Sequence, residues 1–265
     1  MKIFALGASK NIGYLASQHM LAAGHTVVFL LRSTAVFDQD ETMQAYIKAG
    51  KVILVKGDGL VKSDVENAWR KADEGSPVDL VLFTVGGALK FKMSRGFFID
   101  TPNLTTKCLS NLLQAIVANR PSGQQMPRLI AISSTGITKE SHDMLPFAMK
   151  MMYTYMLPSP HADKLGLERL LQHAMGLPWK EKIEPKEEVL PSDWEKDYPA
   201  PGFLPEVVVV RPAFLTDGPE TGKFKVTETE TPFYTISRRD VAHFIGERLL
   251  AEFDTWSGKI VNVGY

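Results

Sequence analysis

The chain has one cysteine, Cys108, among 265 residues. A lone thiol excludes any disulfide within the chain and points to a reducing compartment. It sits in the apolar-periodic run from Leu104 to Val117, where a buried structural thiol is expected over a reactive one. Net charge is missing too, because 30 basic residues cancel 30 acidic ones. That removes the broad electrostatic footprint required by nucleic acid or an anionic membrane, while leaving room for a local basic pocket. No apolar run approaches a membrane span, and residues 1–6 are too short for a signal-peptide core with its cleavage site, so a cytoplasmic protein is expected. His19, His25, His142, His161, His173 and His243 are scattered without a His-x-x-x-His or Cys-x-x-Cys pair, and no metal set is expected. Gly-x-Ser-x-Gly, the turn of many hydrolases, is absent.

What is present is an alternation. Short apolar runs at Ile3–Leu6, Val27–Leu31, Val52–Val55, Leu80–Thr84, Leu129–Ile132, Val207–Val210 and Ile260–Val263 alternate with helix-length amphipathic segments. Those segments lie near Ile12–Ala23, Thr42–Ala49, Ser63–Asp73, Thr101–Ala118, His161–Met175 and Ser237–Glu252. The pattern predicts an α/β fold, a doubly wound parallel sheet of about seven strands with helices on both faces, forming a single dinucleotide-binding domain over residues 1–265. With the chain stopping two residues past the last run, no separate substrate domain is expected. Residues 176–206 break the rhythm with six prolines among many charges, too proline-rich for a long helix. Trp179, Trp194, Tyr198 and Phe203 argue that this segment packs as a flap; a peripheral cover and a pocket lid are both open.

The first run leads into Gly7-Ala8-Ser9-Lys10-Asn11-Ile12-Gly13, with a helix directly after it. Strand, glycine turn and helix start together offer backbone N–H groups and a positive dipole end to a pyrophosphate. Asn11 stands at a position often held by glycine, and asparagine tolerates the left-handed backbone. The second run ends in Arg32-Ser33, where a chain selective for NAD carries an acid for the ribose hydroxyl. A guanidinium and a hydroxyl there, with Lys10 in the turn, suit a 2′-phosphate and favour NADP(H). Asp58-Gly59-Leu60 after the third run is a candidate adenine contact or a plain turn.

These residues resemble the short-chain dehydrogenase/reductase superfamily, whose Gly-Ala-Ser-Arg-Gly-Ile-Gly turn is matched with one Gly replaced by Asn. Val81-Leu82-Phe83-Thr84-Val85-Gly86-Gly87 is similar to its fourth-strand segment lining the cofactor, and Ile130-Ala131-Ile132-Ser133-Ser134 to the strand with the catalytic serine. Val210-Arg211-Pro212-Ala213-Phe214-Leu215 and Ser237-Arg238-Arg239-Asp240-Val241-Ala242 resemble late segments of its extended and atypical members. The resemblance implies cofactor contacts at Gly7, Ser9, Lys10, Asn11, Ile12, Gly13, Arg32, Ser33, Asp58, Gly59, Leu60, Val85, Gly86, Lys164, Pro212 and Phe214. Lys164 matches the lysine of the superfamily's Tyr-x-x-x-Lys pair, but Pro160 stands where the tyrosine belongs. This is similar to the atypical branch containing biliverdin-reductase-B-like and nitrogen-metabolite-repressor-like proteins.

In such a protein the cofactor does the hydride chemistry, and the chain must orient the nicotinamide and manage a proton. Lys164 is the candidate for the nicotinamide ribose. His161, three residues earlier on the same helical face, is the first candidate proton donor, against a helix-start histidine with no such role. Ser134 is a candidate for bonding a substrate oxygen, while Ser133 is expected to satisfy backbone groups. Tyr153 and Tyr155, in a methionine-rich run, are candidate phenols or part of an apolar wall. Phe91, Phe214, Phe233 and Tyr234 fall beyond strand ends and predict an apolar, aromatic substrate pocket. The expectation is an NADPH-dependent oxidoreductase reducing a hydrophobic carbonyl, activated alkene, quinone or flavin-like acceptor. A non-catalytic NADP(H) sensor and a non-redox isomerase, cyclase or lyase are the alternatives. Its partner is a small-molecule substrate, with neither nucleic acid nor membrane, and the chain is a monomer or homodimer.

Overall fold

The computed structural model describes residues 1–88, 90–93, 96–120, 123–145, 147–181 and 183–265; the side chains at 148, 152, 153, 155 and 156 lie outside that description. The chain opens with β1 (Lys2–Leu6), α1 (Asn11–Ala22), β2 (Thr26–Leu31), α2 (Glu41–Lys48), β3 (Val52–Lys56), α3 (Lys62–Asp73) and β4 (Leu80–Phe83). A hairpin of β5 (Lys90–Lys92) and β6 (Gly96–Phe98) precedes α4 (Leu104–Asn119) and β7 (Arg128–Ile132). Three helices follow, α5 (Lys139–Met144), α6 (Phe147–Met156) and α7 (Pro158–Met175), and then β8 (Val207–Pro212). The remainder holds β9 (Phe214–Thr216), β10 (Lys225–Thr227), β11 (Thr235–Ser237), α8 (Arg238–His243), α9 (Phe253–Trp256) and β12 (Lys259–Gly264).

Eight strands form one sheet in the order β10-β12-β8-β7-β4-β1-β2-β3. All neighbours are parallel except β10 and β12. The seven apolar runs are the seven parallel strands, buried because helices cover both faces. The eighth strand, Lys225-Val226-Thr227, is too short and polar to read as one. On one face α1, α2 and α8 close over Ile3, Val27, Phe29, Val208 and Val261. On the other, α3, α4 and α7 close over Phe4, Val28, Val81, Leu129 and Val207. The helix expected across Ser237–Glu252 is broken into α8 and a π-helical stretch, Phe244–Leu249. Gly246 lies so close to α1 that an added Cβ would meet His19 Cβ at 2.5 Å, and the wider helical turn accompanies that approach.

Residues 176–206 form a strap with little regular structure, burying Val189, Leu190, Trp194 and Leu204 against α7 and α4. Leu204 N donates to Ala174 O at 2.8 Å and Tyr198 Oη to Ser110 Oγ at 2.9 Å. Arg169 lies over the rings of Trp179 and Trp194. The aromatic residues pack on the α4–α7 layer, as their number in so polar a segment suggested.

Helix α7 is fixed by charge as well as by apolar contact. Asp163, fully buried, accepts from Thr105 N at 2.8 Å and Thr106 N at 2.9 Å, supplying the cap that α4 lacks from its own Asn103. Five residues on, Glu168 takes a bidentate pair from Arg211 of β8, at 2.8 Å from Nε and 2.6 Å from Nη2. Removing one member of such a pair strands a buried charge and costs about 3–5 kcal/mol. Arg211→Met should therefore lower the denaturation midpoint strongly, and Glu168→Leu added to it should recover much of the loss. Equal midpoints for wild type and Arg211→Met in urea titrations would show that this pair does not dock α7.

Candidate active site

The glycine turn sits where the strand order reverses, between the carboxyl ends of β1 and β4. Gly7 has φ +78°, and a Cβ there would lie 2.4 Å from Val85 N, so only glycine lets the two loops touch. Asn11 has φ +54° and is the one non-glycine residue of positive φ among the described residues. It keeps the left-handed step that glycine usually makes. At Gly13 a Cβ would fall 2.1 Å from Thr84 Oγ1 and 2.7 Å from Ala8 Cα, which draws α1 tightly to the sheet. Helix α1 has no acid in its first turn, and Lys10, its N-cap residue, makes no side-chain capping bond. Its leading amides are therefore left to an anion.

Arg32 and Ser33 follow β2 in exposed positions, and Arg32 borders a cleft of about 420 Å³ with Lys56, Gly57, Asp58 and Asp64. The two carboxylates are already engaged: Asp58 Oδ1 accepts from Leu60 N and Asp64 Oδ2 from Asp58 N, each at 2.9 Å. Lys10, Arg32 and Lys56 have no ion-pair partner among the described residues. Lys56 was missed in the sequence, where it reads only as the polar end of a strand. Below this turn Gly59 rests on Cys108, whose Sγ would meet an added Cβ at 2.9 Å. Burial pushes the Cys108 thiol up to about 12, the behaviour of a structural thiol.

Lys164 reaches from α7 to the same crevice. Its Nζ donates to Ile132 O at 2.7 Å and to Val85 O at 3.3 Å, bridging the ends of β7 and β4. Burial pulls this amine down to about 8, against the upward pull of Asp163 and Glu168. His161 lies one turn earlier on α7; burial, assisted by His142, pulls it down to about 4. At neutral pH it is an uncharged ring. The expected division between the two serines is not found. Ser134 Oγ donates to Thr135 O at 3.1 Å, whereas Ser133 Oγ is buried with no hydrogen-bond partner among the described residues. The Ser133 hydroxyl therefore does not satisfy the backbone groups near the strand end. Tyr153 and Tyr155 fall in α6, but their side chains lie outside the described residues.

The aromatic residues expected to line one pocket are dispersed. Phe91 is exposed on β5, its ring 5.2 Å from that of Phe97, while Phe214 and Tyr234 are exposed on and beside the β9–β11 pair. Phe233 is 5% exposed and packs in the core against Gly264, where a Cβ would be 2.5 Å from its own. Its assignment to the pocket is corrected: the alternation that exposes Tyr234 turns Phe233 inward. Pro212, at the end of β8, is buried. Exposed Met93, Met144, Phe147 and Met151 lie on the β5–β6 hairpin, α5 and α6, among exposed charges such as Lys90, Lys92, Lys139 and Asp143.

A family model described as NAD(P)H-binding matches residues 7–180. Reductase pytE of Aspergillus terreus is 34% identical over 197 residues, covering 71% of this chain and 67% of that protein. Among solved structures, the anaerobillin reductase ChuY from Escherichia coli O157:H7 is similar with a TM-score of 0.61 at 18% identity, over 99% of this chain and 96% of that one. A short-chain dehydrogenase/reductase of wide type from Veillonella parvula, solved with NADP, gives a TM-score of 0.61 at 12% identity, over 99% and 94%. These two likenesses are of fold. No helix among the described residues is long and apolar enough to cross a membrane. Glycine turn, strand order and matches agree that the chain belongs to the NAD(P)H-binding family, as an atypical short-chain dehydrogenase/reductase-like protein on a Rossmann fold.

Proposed function

We propose that the chain is an NADPH-dependent reductase acting on a hydrophobic carbonyl, activated alkene, quinone or flavin-like acceptor. The observation that carries this reading is Lys164, a buried amine bonded to carbonyls at the ends of β4 and β7, beside an uncapped glycine-turn helix. The reductase name of the Aspergillus terreus relative and the NADP held by the Veillonella parvula structure support it. The residues fit a nicotinamide dinucleotide. The first turn of α1 would take the pyrophosphate, Arg32 and Lys10 the 2′-phosphate, the Asp58–Leu60 turn the adenine, and Lys164 the nicotinamide ribose. When bound, the reduced nicotinamide supplies the hydride. Lys10 and Arg32, without ion-pair partners among the described residues, are the reason for choosing NADPH over NADH.

The chain must supply the proton. Pro160 has none to give, and His161, kept an uncharged ring at neutral pH by burial, retains only a weakly acidic N–H. Lys164 Nζ holds one at neutral pH and loses it near 8, so in this reading it both orients the ribose and protonates the reduced oxygen. The exposed apolar side chains of the β5–β6 hairpin, α5 and α6 favour a hydrophobic acceptor.

Three measurements test the reading. Calorimetric titration of Arg32→Asp should show NADPH weakened by at least about tenfold, one lost charge-assisted contact, with NADH little changed. Equal loss of both cofactors would remove the 2′-phosphate assignment. With a carbonyl substrate, turnover should fall as pH rises through about 8, because the acid is then deprotonated. Lys164→Ala should lose roughly 10²–10⁴-fold, while His161→Phe at pH 7 stays close to wild type. A collapsed rate in His161→Phe would return the proton to that ring, and cofactor binding without oxidation across carbonyls and quinones would indicate a sensor. His161 also predicts an acid limb in stability. Unfolded, the ring takes a proton near 6.5, but folded only near 4, so its contribution is full above 6.5 and is lost as pH falls through 4. Roughly 3 kcal/mol is at stake over that window, and melting curves of His161→Gln should lack it.

A further inference from the structure

The cleft beyond β2 and β3 has a cation that the glycine turn does not supply. It measures about 420 Å³ and is lined by Arg32, Lys56, Gly57, Asp58 and Asp64. That volume falls within the roughly 300–1,000 Å³ of small-molecule sites. Lys10 belongs to the turn and is not among the lining residues. Strand pairing sets Lys56 beside Arg32. Leu31 and Lys56 are the last partners of the parallel β2–β3 register, and Gly57 N donates to Leu31 O at 2.8 Å. Neighbouring strands run about 4.8 Å apart, so the two cationic side chains leave the same end of the sheet side by side. Gly57 admits the rest of the wall, since a Cβ there would lie 2.9 Å from Leu30 Cδ1 and 3.0 Å from Asp64 Cβ.

The charges on this wall decide what it can hold. Asp58 and Asp64 each spend one oxygen on a backbone amide, Leu60 N and Asp58 N. Neither carboxylate is ion-paired with Arg32 or Lys56 among the described residues, although all four line one cleft. With Arg32 alone the lining would carry two negative charges against one positive, a poor place for a phosphate. Lys56 brings it to neutrality and leaves both cations available to an anion. The two are not equivalent. A guanidinium is a planar fork that takes two phosphate oxygens, and an ammonium is a compact charge on a flexible stem that can meet another. Both side chains are exposed, so a ligand need not pull either from a buried partner.

We propose that Lys56 is a specificity-determining residue, the second cation of the Arg32 cleft, which binds a ribose phosphate monoester and so selects NADPH over NADH. The inference rests on the reading of the chain as an NADPH-dependent reductase and deepens it by adding a contact from β3. A 2′-phosphate and a 3′-phosphate on adenosine share this chemistry, and NADPH carries the first. NADH has only hydroxyls there and gains nothing from a facing ammonium. Because β3 is the outermost strand beyond β2, a change at Lys56 leaves alone the bonds of Lys164 at the ends of β4 and β7.

The test is calorimetric titration of NADPH, NADH, adenosine 2′-monophosphate and adenosine 3′-monophosphate at one ionic strength, because salt screens every exposed phosphate contact. Lys56→Gln should weaken NADPH and the 2′-monophosphate by about fivefold each, with NADH unchanged. Lys56→Arg keeps the charge and should hold NADPH close to wild type. Lys62→Gln, at the start of α3 in an exposed pair with Glu66, also removes one positive charge and should leave both cofactors in place. A wild type that prefers NADPH, with that preference intact in Lys56→Gln, overturns this inference and leaves the reductase reading standing. Equal loss of NADPH and NADH in Lys56→Gln, the sign of a merely structural contact, overturns it as well. So does a loss confined to the 3′-monophosphate, which would put Lys56 at the other ester. Where the monophosphates bind too weakly to titrate, the ratio of NADPH to NADH affinity decides. A wild type that binds neither cofactor, or prefers NADH, overturns the NADPH reading and this inference together.

Discussion

The grip of Arg211 on Glu168 is the constraint on which the candidate site depends. A helix lying on a sheet through apolar contacts alone can slide or roll by an ångström at small cost, because burial free energy has little direction. A bidentate guanidinium–carboxylate pair does have direction: two donors in a fixed fork meet two acceptors, and only one placement of α7 on β8 satisfies both. One turn away, Lys164 must reach carbonyls on two different strands. A leucine pair in place of Arg211 and Glu168 would hold the helix as well or better. It would not fix the register, and the proposed role of Lys164 in orienting a ribose gains from register more than from stability.

Two kinds of construction meet in the crevice, and they were unequally readable. The phosphate half is local. Seven consecutive residues, 7–13, carry the turn, its left-handed step at Asn11 and its close approach at Gly13, so sequence order and spatial order coincide. The alternation of apolar runs located all seven parallel strands for the same reason, since each strand is a contiguous segment buried on both faces. The chemical half is assembled from residues far apart in the chain: Val85, Ile132, Lys164 and Arg211. Lys164 was visible only through resemblance. Glu168 and Asp163 read as ordinary polar positions on a helix, and nothing in their spacing says that one meets a strand and the other the start of another helix. The serine pair shows the same limit. Alternation along β7 stops with the strand at Ile132, and Ser133 and Ser134 lie beyond it, where the strand period no longer decides which hydroxyl is buried.

The substrate side was the least legible, for a physical reason. Its aromatic residues lie on strands of only three residues, β5, β6 and β9, or in the loop just before β11, where a shift of one position exchanges inside for outside. Phe233 and Tyr234 are neighbours with opposite fates. The methionine-rich run gave no strong helical signal and yet forms α6, because flexible unbranched side chains suit a helix without defining which face is buried. What can be said of the acceptor therefore comes from composition at the edge, exposed Met and Phe, and not from a shaped cavity.

The opposed protonation of His161 and Lys164 follows from one cause acting on two different groups. Burial disfavours the charged form of both, and both are pulled below their ordinary values. Imidazole starts near neutrality, so a modest pull leaves it uncharged. The amine starts several units higher and is supported by Asp163 and Glu168, so a comparable pull leaves it charged at pH 7 but able to release its proton near 8. Under the proposed role of Lys164, no tyrosine is needed in front of the lysine. Proline at position 160 stands in the first turn of α7, where its missing N–H costs no helical bond, and Pro158 at the first helical position favours the helix start that brings Lys164 to the strand ends.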